Sequence, residues 1–325
     1  MPAIAPMEDW LKAIGHGDRR ALARAITLVE SLRPGDQALA DQLLAGLPPD
    51  GSGSALRIGI SGTPGVGKST FIESFGETLI TRGHRVAVLA IDPSGKRSGG
   101  SILGDKTRME RLARNPSAFI RPSPSQGNLG GVARRTREVA RLVEAAGYDR
   151  IIVETVGVGQ SEVAVAGLVD LFMLLAGPAG GDDLQGIKRG IMELADIIVV
   201  TKHDGVLKAP ALLAAADLQS ALHLMRPKYR QWTVPVIPTS ALSGEGLDKV
   251  VETVDAFYQA LQLTGDLANL RIRRRIDAFY NEIELGLMRV FLDSVERRAA
   301  KQRLEQDVAE GRMDPGLAAR QLLEL

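Results

Sequence analysis

The sequence predicts an α/β protein: a doubly wound, mainly parallel sheet over residues 54–265, with helices before it in 1–50 and a helical extension after it in 266–325. Three observations predict this. Short apolar runs without polar alternation mark strands covered on both faces; they lie at Leu56–Ile60, Arg85–Ile91, Arg150–Glu154, Asp170–Ala176, Asp196–Thr201 and Val234–Pro238, with a weaker one at Ala118–Arg121. Helical stretches separate most of these runs, as crossover connections in a parallel sheet require. Residues suited to chemistry gather where the runs end, and in such sheets ligands sit beyond the carboxyl ends of the strands.

Residues 1–50 read as helices. Asp18 is placed to cap one in which Leu22, Ile26 and Val29 recur at helical spacing, until Pro34-Gly35 stops the run. Asp36 is expected to cap a second, with Leu39 and Leu43 on one face, and Pro48 to Gly53 forms a linker. At the other end Ile272, Ile276, Phe279, Ile283, Leu287 and Val290 follow a near-heptad spacing, and Asp314-Pro315 has the N-cap and N1 pattern of a further short helix. Such helices have too little core to stand alone. They must pack on the α/β region or on a second copy.

Hydrophobic residues are 45% and charged residues 24% of the 325, a composition with a packed core rather than disorder. The net charge of +1 gives no global steering toward nucleic acid or an anionic membrane. The basic clusters Arg134-Arg135-x-Arg137 and Arg271-x-Arg273-Arg274-Arg275 read as solvated helix faces. There is no cysteine, so disulfides and thiolate metal sites are excluded. The longest apolar segment, Leu168–Pro178, is interrupted by Asp170 and too short to cross a bilayer. The first residues lack a basic stretch followed by an apolar one, so the expectation is a cytoplasmic protein with neither membrane nor nucleic acid as partner. The four histidines do not cluster at metal-binding spacings.

The strongest motif is Gly62-Thr63-Pro64-Gly65-Val66-Gly67-Lys68-Ser69-Thr70, directly after the first apolar run. A strand, a glycine-rich turn and a helix in this order aim backbone N–H groups and the helix dipole at one anion. Lys68 can reach the β- and γ-phosphates of a nucleotide, and the Ser69 hydroxyl can join the shell of Mg²⁺. Binding of a nucleoside triphosphate is therefore expected. Asp92, ending the second run, is placed to hold Mg²⁺ directly or through water, and the Gly/Ser-rich stretch after it, with Lys96 and Arg97, can respond to the γ-phosphate.

Glu154, with Gly157 three residues on, forms the second metal-side motif: the carboxylate orients Mg²⁺ or its waters, and the Gly157 N–H contacts the γ-phosphate. Val158 stands where many small GTPases carry the glutamine that orients attacking water, and Gln160 is displaced from that position. Slow intrinsic hydrolysis follows. Thr201-Lys202-His203-Asp204 resembles the [NT]-K-x-D guanine motif. The Asp204 carboxylate can accept from guanine N1–H and the 2-amino group, donors that adenine lacks. Ser240-Ala241-Leu242 matches the loop that supports guanine O6, and Lys202 lies against the base or braces the phosphate loop. The segment Gly177–Lys188, Gly-rich and carrying Asp182, Asp183 and Lys188, is either a plain connector or a third nucleotide-sensing element.

These motifs, Gly104-Asp105-Lys-Thr-Arg108-Met109 and the string Glu154 to Glu162 make the whole chain resemble the MeaB/ArgK family. The resemblance implies a GTPase chaperone of adenosylcobalamin-dependent methylmalonyl-CoA mutase, binding GTP or GDP with Mg²⁺ and dimerising through its C-terminal helices. On that match Asp92, Asp105 and Glu154 are the acidic metal-side positions, and Thr201 replaces the more usual Asn. Arg108 and Lys188 are the candidates for a cation that moves in during catalysis. Two other readings stand beside it. One is a nickel-delivery GTPase, which needs the Cys/His ligands this chain lacks; the other is an ATP-dependent kinase of a transport protein, against which Asp204 and Ser240-Ala241 argue.

Overall fold

The computed structural model describes residues 7–31, 33–49, 53–92, 109–124, 129–155, 161–178 and 189–325. Its strands are β1 (Leu56–Gly62), β2 (Val86–Asp92), β3 (Ala118–Pro124), β4 (Arg150–Thr155), β5 (Leu171–Ala176), β6 (Ile197–Val200) and β7 (Val236–Pro238). They form one sheet in the order β3-β2-β4-β1-β5-β6-β7, with every pairing parallel. The weak run at Ala118 is a full edge strand, whereas the last run begins two residues later than its apolar pattern indicates. Thr155 and Leu175 lie at the carboxyl ends of the two neighbours of β1, which places the crevice at the end of β1.

Period-two alternation within the buried strands sends each set of side chains to a different helical layer. Leu56, Ile58, Ile60, Val86, Val88, Ile152 and Met173 meet α4 (Lys68–Thr81), α5 (Glu110–Arg114) and α10 (Leu247–Thr264) through Phe71, Phe75, Leu112, Val254 and Phe257. On the other face Ala87, Leu89, Phe119 and Ile151 share a core with α1 (Met7–Gly15), α2 (Arg19–Glu30), α3 (Pro34–Ala45) and α6 (Leu129–Ala145). Further along that face Val153, Phe172, Leu174 and Ile198 pack with α7 (Ser161–Ala166), α8 (Arg189–Leu194) and α9 (Lys208–His223).

Asp18 caps α2 by accepting from Arg20 N and Ala21 N. Asp36 does not cap α3: proline at the first helical position starts that helix at Pro34, leaving Asp36 in its first turn, where it accepts from Ser31 Oγ.

The chain divides into two compact units, Met1–Arg274 and Arg275–Leu325. Helix α11 (Asp266–Phe291) runs across the boundary. Within the first unit its start is fixed by charge. Arg271 donates through Nε and Nη2 to the buried Asp170 at 3.0 and 2.7 Å and also reaches the carbonyls of Gly53 and Ala55. Arg274 donates to the carbonyl of Ala166, the last residue of α7, at 2.7 Å. The second cluster of arginines is therefore no solvated face where Arg271 and Arg274 are concerned, because a buried carboxylate needs them. In the second unit, α12 (Val295–Ala309) and α13 (Pro315–Leu323) start on the caps Ser294 and Asp314 and bury Ala300, Leu304 and Ala318. Among the described residues no helix is long and apolar enough to cross a membrane.

Candidate nucleotide site

The phosphate loop is shaped by what it cannot tolerate. A Cβ on Gly62 would lie 2.6 Å from the carbonyl of Leu175 on the adjacent strand, and Gly67 turns the chain into α4 at φ 97, where side chains are strained. No side chain caps α4. Its first-turn N–H groups, including those of Ser69 and Thr70, are therefore left for an anion, and the dipole of this 14-residue helix adds to the same point.

The loop's carbonyls are held by side chains, from Lys68 of the motif itself and from Thr201 and Lys202 after β6. Lys68 Nζ donates to Gly62 O at 2.7 Å and Thr63 O at 3.1 Å; Lys202 Nζ donates to Gly65 O at 2.8 Å; the Thr201 hydroxyl donates to Val66 O at 2.7 Å. With those carbonyls held away from the centre, the alternating peptide planes turn N–H groups toward it. Pro64 is exposed and Val66 buried, so the loop's own apolar anchor is Val66. Lys202 adopts φ 59, the left-handed region that a non-glycine residue seldom visits, and this lets its side chain brace the loop.

Glu154, the last residue but one of β4, lies opposite Ile60 of β1 and is 6% exposed. Burial pushes the Lys68 ammonium below its ordinary pKa, and the Glu154 and Glu162 carboxylates pull it back up. Glu162, buried in the first turn of α7, thus belongs to the charge balance of the phosphate lysine. The sequence shows it inside the Glu154 to Glu162 string, but nothing in its spacing signals closeness to Lys68. Ser69 Oγ and Glu154 are oxygen donors of the kind a hard cation takes. Among the described residues no group of three or more His, Cys, Asp or Glu could hold a metal. Ser69 and Glu154 are oxygen donors that suit Mg²⁺, which takes one or two protein ligands beside phosphates and water. Asp92 ends β2, and its side chain is not described. Asp105, Arg108, Gly157, Val158, Gln160 and Lys188 lie outside the described residues.

The base side is built from two loops at the ends of β6 and β7. Asp204 accepts from the Ser240 hydroxyl, which also accepts from Ser243 N at 3.1 Å. Ser240 N donates to Glu245 O at 2.9 Å, and the Ala241 carbonyl accepts from Ser74 Oγ of α4 at 2.8 Å. Leu242 is exposed at the rim. The Lys208 hydrogen bond holds the Glu245 carboxyl below the usual carboxylate range. The structure thus gathers Gly62–Thr70, Thr201, Lys202, Asp204, Ser240, Ala241 and Glu154 at one edge of the sheet. Thr201 spends its hydroxyl on the phosphate loop, not toward a base.

A family model described as "Methylmalonyl Co-A mutase-associated GTPase MeaB" matches residues 22–293. The chain belongs to this family. Among its relatives, a probable GTPase of Mycobacterium tuberculosis is 52% identical, over 96% of this chain and 93% of its own. GTPase ArgK of Escherichia coli is 49% identical over 86% and 84%. The mitochondrial methylmalonic aciduria type A homolog of Mus musculus is 47% identical over 95% and 76%. A crystal structure described as an LAO/AO transport system kinase superposes with a TM-score of 0.78 at 38% identity, covering 100% of this chain and 98% of that one. As a MeaB-family member the chain is a guanine-nucleotide-binding GTPase with a phosphate loop at the end of β1.

Proposed function

We propose that this GTPase serves an adenosylcobalamin-dependent methylmalonyl-CoA mutase, gating cofactor loading and protecting the loaded enzyme, and that it acts as a homodimer through its C-terminal helices. The observation that carries the reading is a phosphate loop and a carboxylate-bearing base loop held together, in a chain 47% identical to the methylmalonic aciduria type A homolog. In the second unit Phe279, Leu287 and Val290 are more than half exposed in the single chain, an apolar stripe suited to a second copy.

In this reading the N–H groups of Gly62–Thr70 hold the phosphates and Lys68 swings from the Gly62 and Thr63 carbonyls to the β- and γ-oxygens. Mg²⁺, when bound, would supply charge neutralisation to the phosphates. Ser69 and Glu154 would hold it, with Asp92 and Asp105 as the further acidic positions. Asp204 reads the guanine edge, Ser240 holds Asp204 in place, and Ala241 and Leu242 line the O6 side. Val158 has no group to orient water, so turnover is slow until a partner reorders the segments that carry Arg108, Gln160 and Lys188.

The nickel-delivery reading lacks Cys ligands in the sequence, and no His-containing metal group forms among the described residues. The kinase label borne by the similar crystal structure is tested together with the main reading. Single-turnover hydrolysis of GTP and of ATP is measured with and without methylmalonyl-CoA mutase, and repeated with Lys188→Ala. Slow GTP hydrolysis, accelerated by the mutase and blunted in the variant, is expected. Fast hydrolysis by the isolated chain, or indifference to the mutase, would overturn the regulatory part; equal use of ATP would overturn the base assignment.

A further inference from the structure

Between Lys202 and Asp204 stands His203, a residue the hydrolysis chemistry does not use. It is 6% exposed, and both ring nitrogens are buried without a hydrogen-bond partner. Buried polar atoms are almost always paired, and each exception calls for a physical explanation. The surroundings of His203 indicate a switch. Its backbone N–H donates to Thr239 O at 3.1 Å, joining the β6 loop to the β7 loop. Its Nδ1 lies 3.6 Å from Glu245 Oε1, a few tenths of an ångström beyond hydrogen-bond reach. Among the described residues, the charged groups near it are Glu245 on the β7 loop, Lys208 at the start of α9, which pairs with Glu245, and its chain neighbours Lys202 and Asp204.

We infer that His203 is a positioning residue of the guanine site, a proton-operated clasp that draws the loop 239–246 onto the loop 201–204. A neutral imidazole has one donor; the protonated ring has two and a charge to share with Glu245. Closing the 3.6 Å gap tightens the segment whose Glu245 carbonyl accepts from Ser240 N, and Ser240 in turn holds Asp204. The clasp thus reaches the base-reading carboxylate in three links without touching the nucleotide. Protonation of His203 pre-forms the pocket, so guanine nucleotide binds more tightly once the ring carries its second proton. This rests on the assignment of Asp204 as the base reader.

The test is the Kd of a fluorescent GDP analogue for the full chain between pH 5.5 and 8.5 at constant ionic strength, for the wild type, His203→Gln and Glu245→Gln. Titration of the nucleotide's own phosphate is common to all three and cancels in ratios. The ratio of variant to wild-type Kd is expected to rise by about three- to tenfold from high to low pH, the size of one linked proton with a modest preference for the bound state. Glu245→Gln alters an exposed side chain and keeps the experiment decisive if His203→Gln disturbs folding. A ratio independent of pH for Glu245→Gln, or for a folded His203→Gln, overturns the clasp. Asp204→Asn measured at pH 8 separates the two assignments: if it keeps GDP affinity, the base reader itself is misassigned. If it loses affinity while the ratios stay flat, only the clasp fails.

Discussion

Replacing Asp204 by asparagine tests the proposed base reading apart from the rest of the site. The carboxylate is partly exposed and held by the Ser240 hydroxyl, a bond the asparagine carbonyl keeps. What changes is the edge presented to the base: an amide N–H₂ replaces a charged acceptor opposite two donors, guanine N1–H and the 2-amino group. Hydrogen bonds to a charged group contribute about 1.5–3 kcal/mol each, so two lost bonds cost about 3–6 kcal/mol. At about 1.4 kcal/mol per factor of ten, GDP affinity should fall roughly 10²–10⁴-fold. The same amide donates to the 2-oxo group of a xanthine nucleotide, whose affinity should rise. Equilibrium binding of fluorescent GDP and XDP analogues reads both numbers, and circular dichroism should be unchanged. A variant with wild-type GDP affinity and no gain for XDP would refute the reasoning.

Ser240→Ala removes the hydroxyl that fixes Asp204, and GDP binding should weaken by about tenfold, roughly one hydrogen bond, in the same assay. Lys68→Ala should lower single-turnover hydrolysis by at least about 10²-fold while leaving the folded circular dichroism signal, because Lys68 reaches loop carbonyls rather than core. A chain ending at Arg274 should fold, bind GDP and scatter light as a monomer, whereas the full chain scatters as a dimer; equal masses would send the apolar stripe elsewhere. A chain ending before Leu270 also loses Arg271 and Arg274, and stranding the buried Asp170 should cost about 3–5 kcal/mol, seen as a lower urea midpoint.

The sheet was legible because its strands are buried on both faces: Leu171–Ala176 and Ile197–Val200 are continuous apolar runs that little else produces. Gly62–Ser69 was equally legible, since glycine, lysine and hydroxyl at fixed offsets have a mechanical meaning. Residues whose role comes from long-range contact were not. Arg271 looks like any surface arginine until Asp170 is seen beside it, and Glu162 until its charge is felt at Lys68. Thr201 reads as a weakened guanine motif, yet its hydroxyl bridges 135 positions to Val66 O. Ser294, which ends the heptad stripe by starting a new helix, was hidden because a lone serine fits either a cap or an exposed helix position.

The Asp170 carboxylate also has something to say about when this domain becomes complete. It waits for a guanidinium 101 positions further along the chain. During synthesis, every strand from β1 to β7 and every residue of the phosphate and base loops leaves the ribosome before Arg271 and Arg274 do. Until then Asp170 lacks both of these guanidinium groups, though the Arg57 backbone N–H already donates to it. The loops at the strand ends thus precede in the chain the arginines that hold Asp170. A chain that stops short of Arg271 keeps the phosphate loop but leaves the buried Asp170 carboxylate without the guanidinium that grips it, and breaking a buried pair in this way is costly.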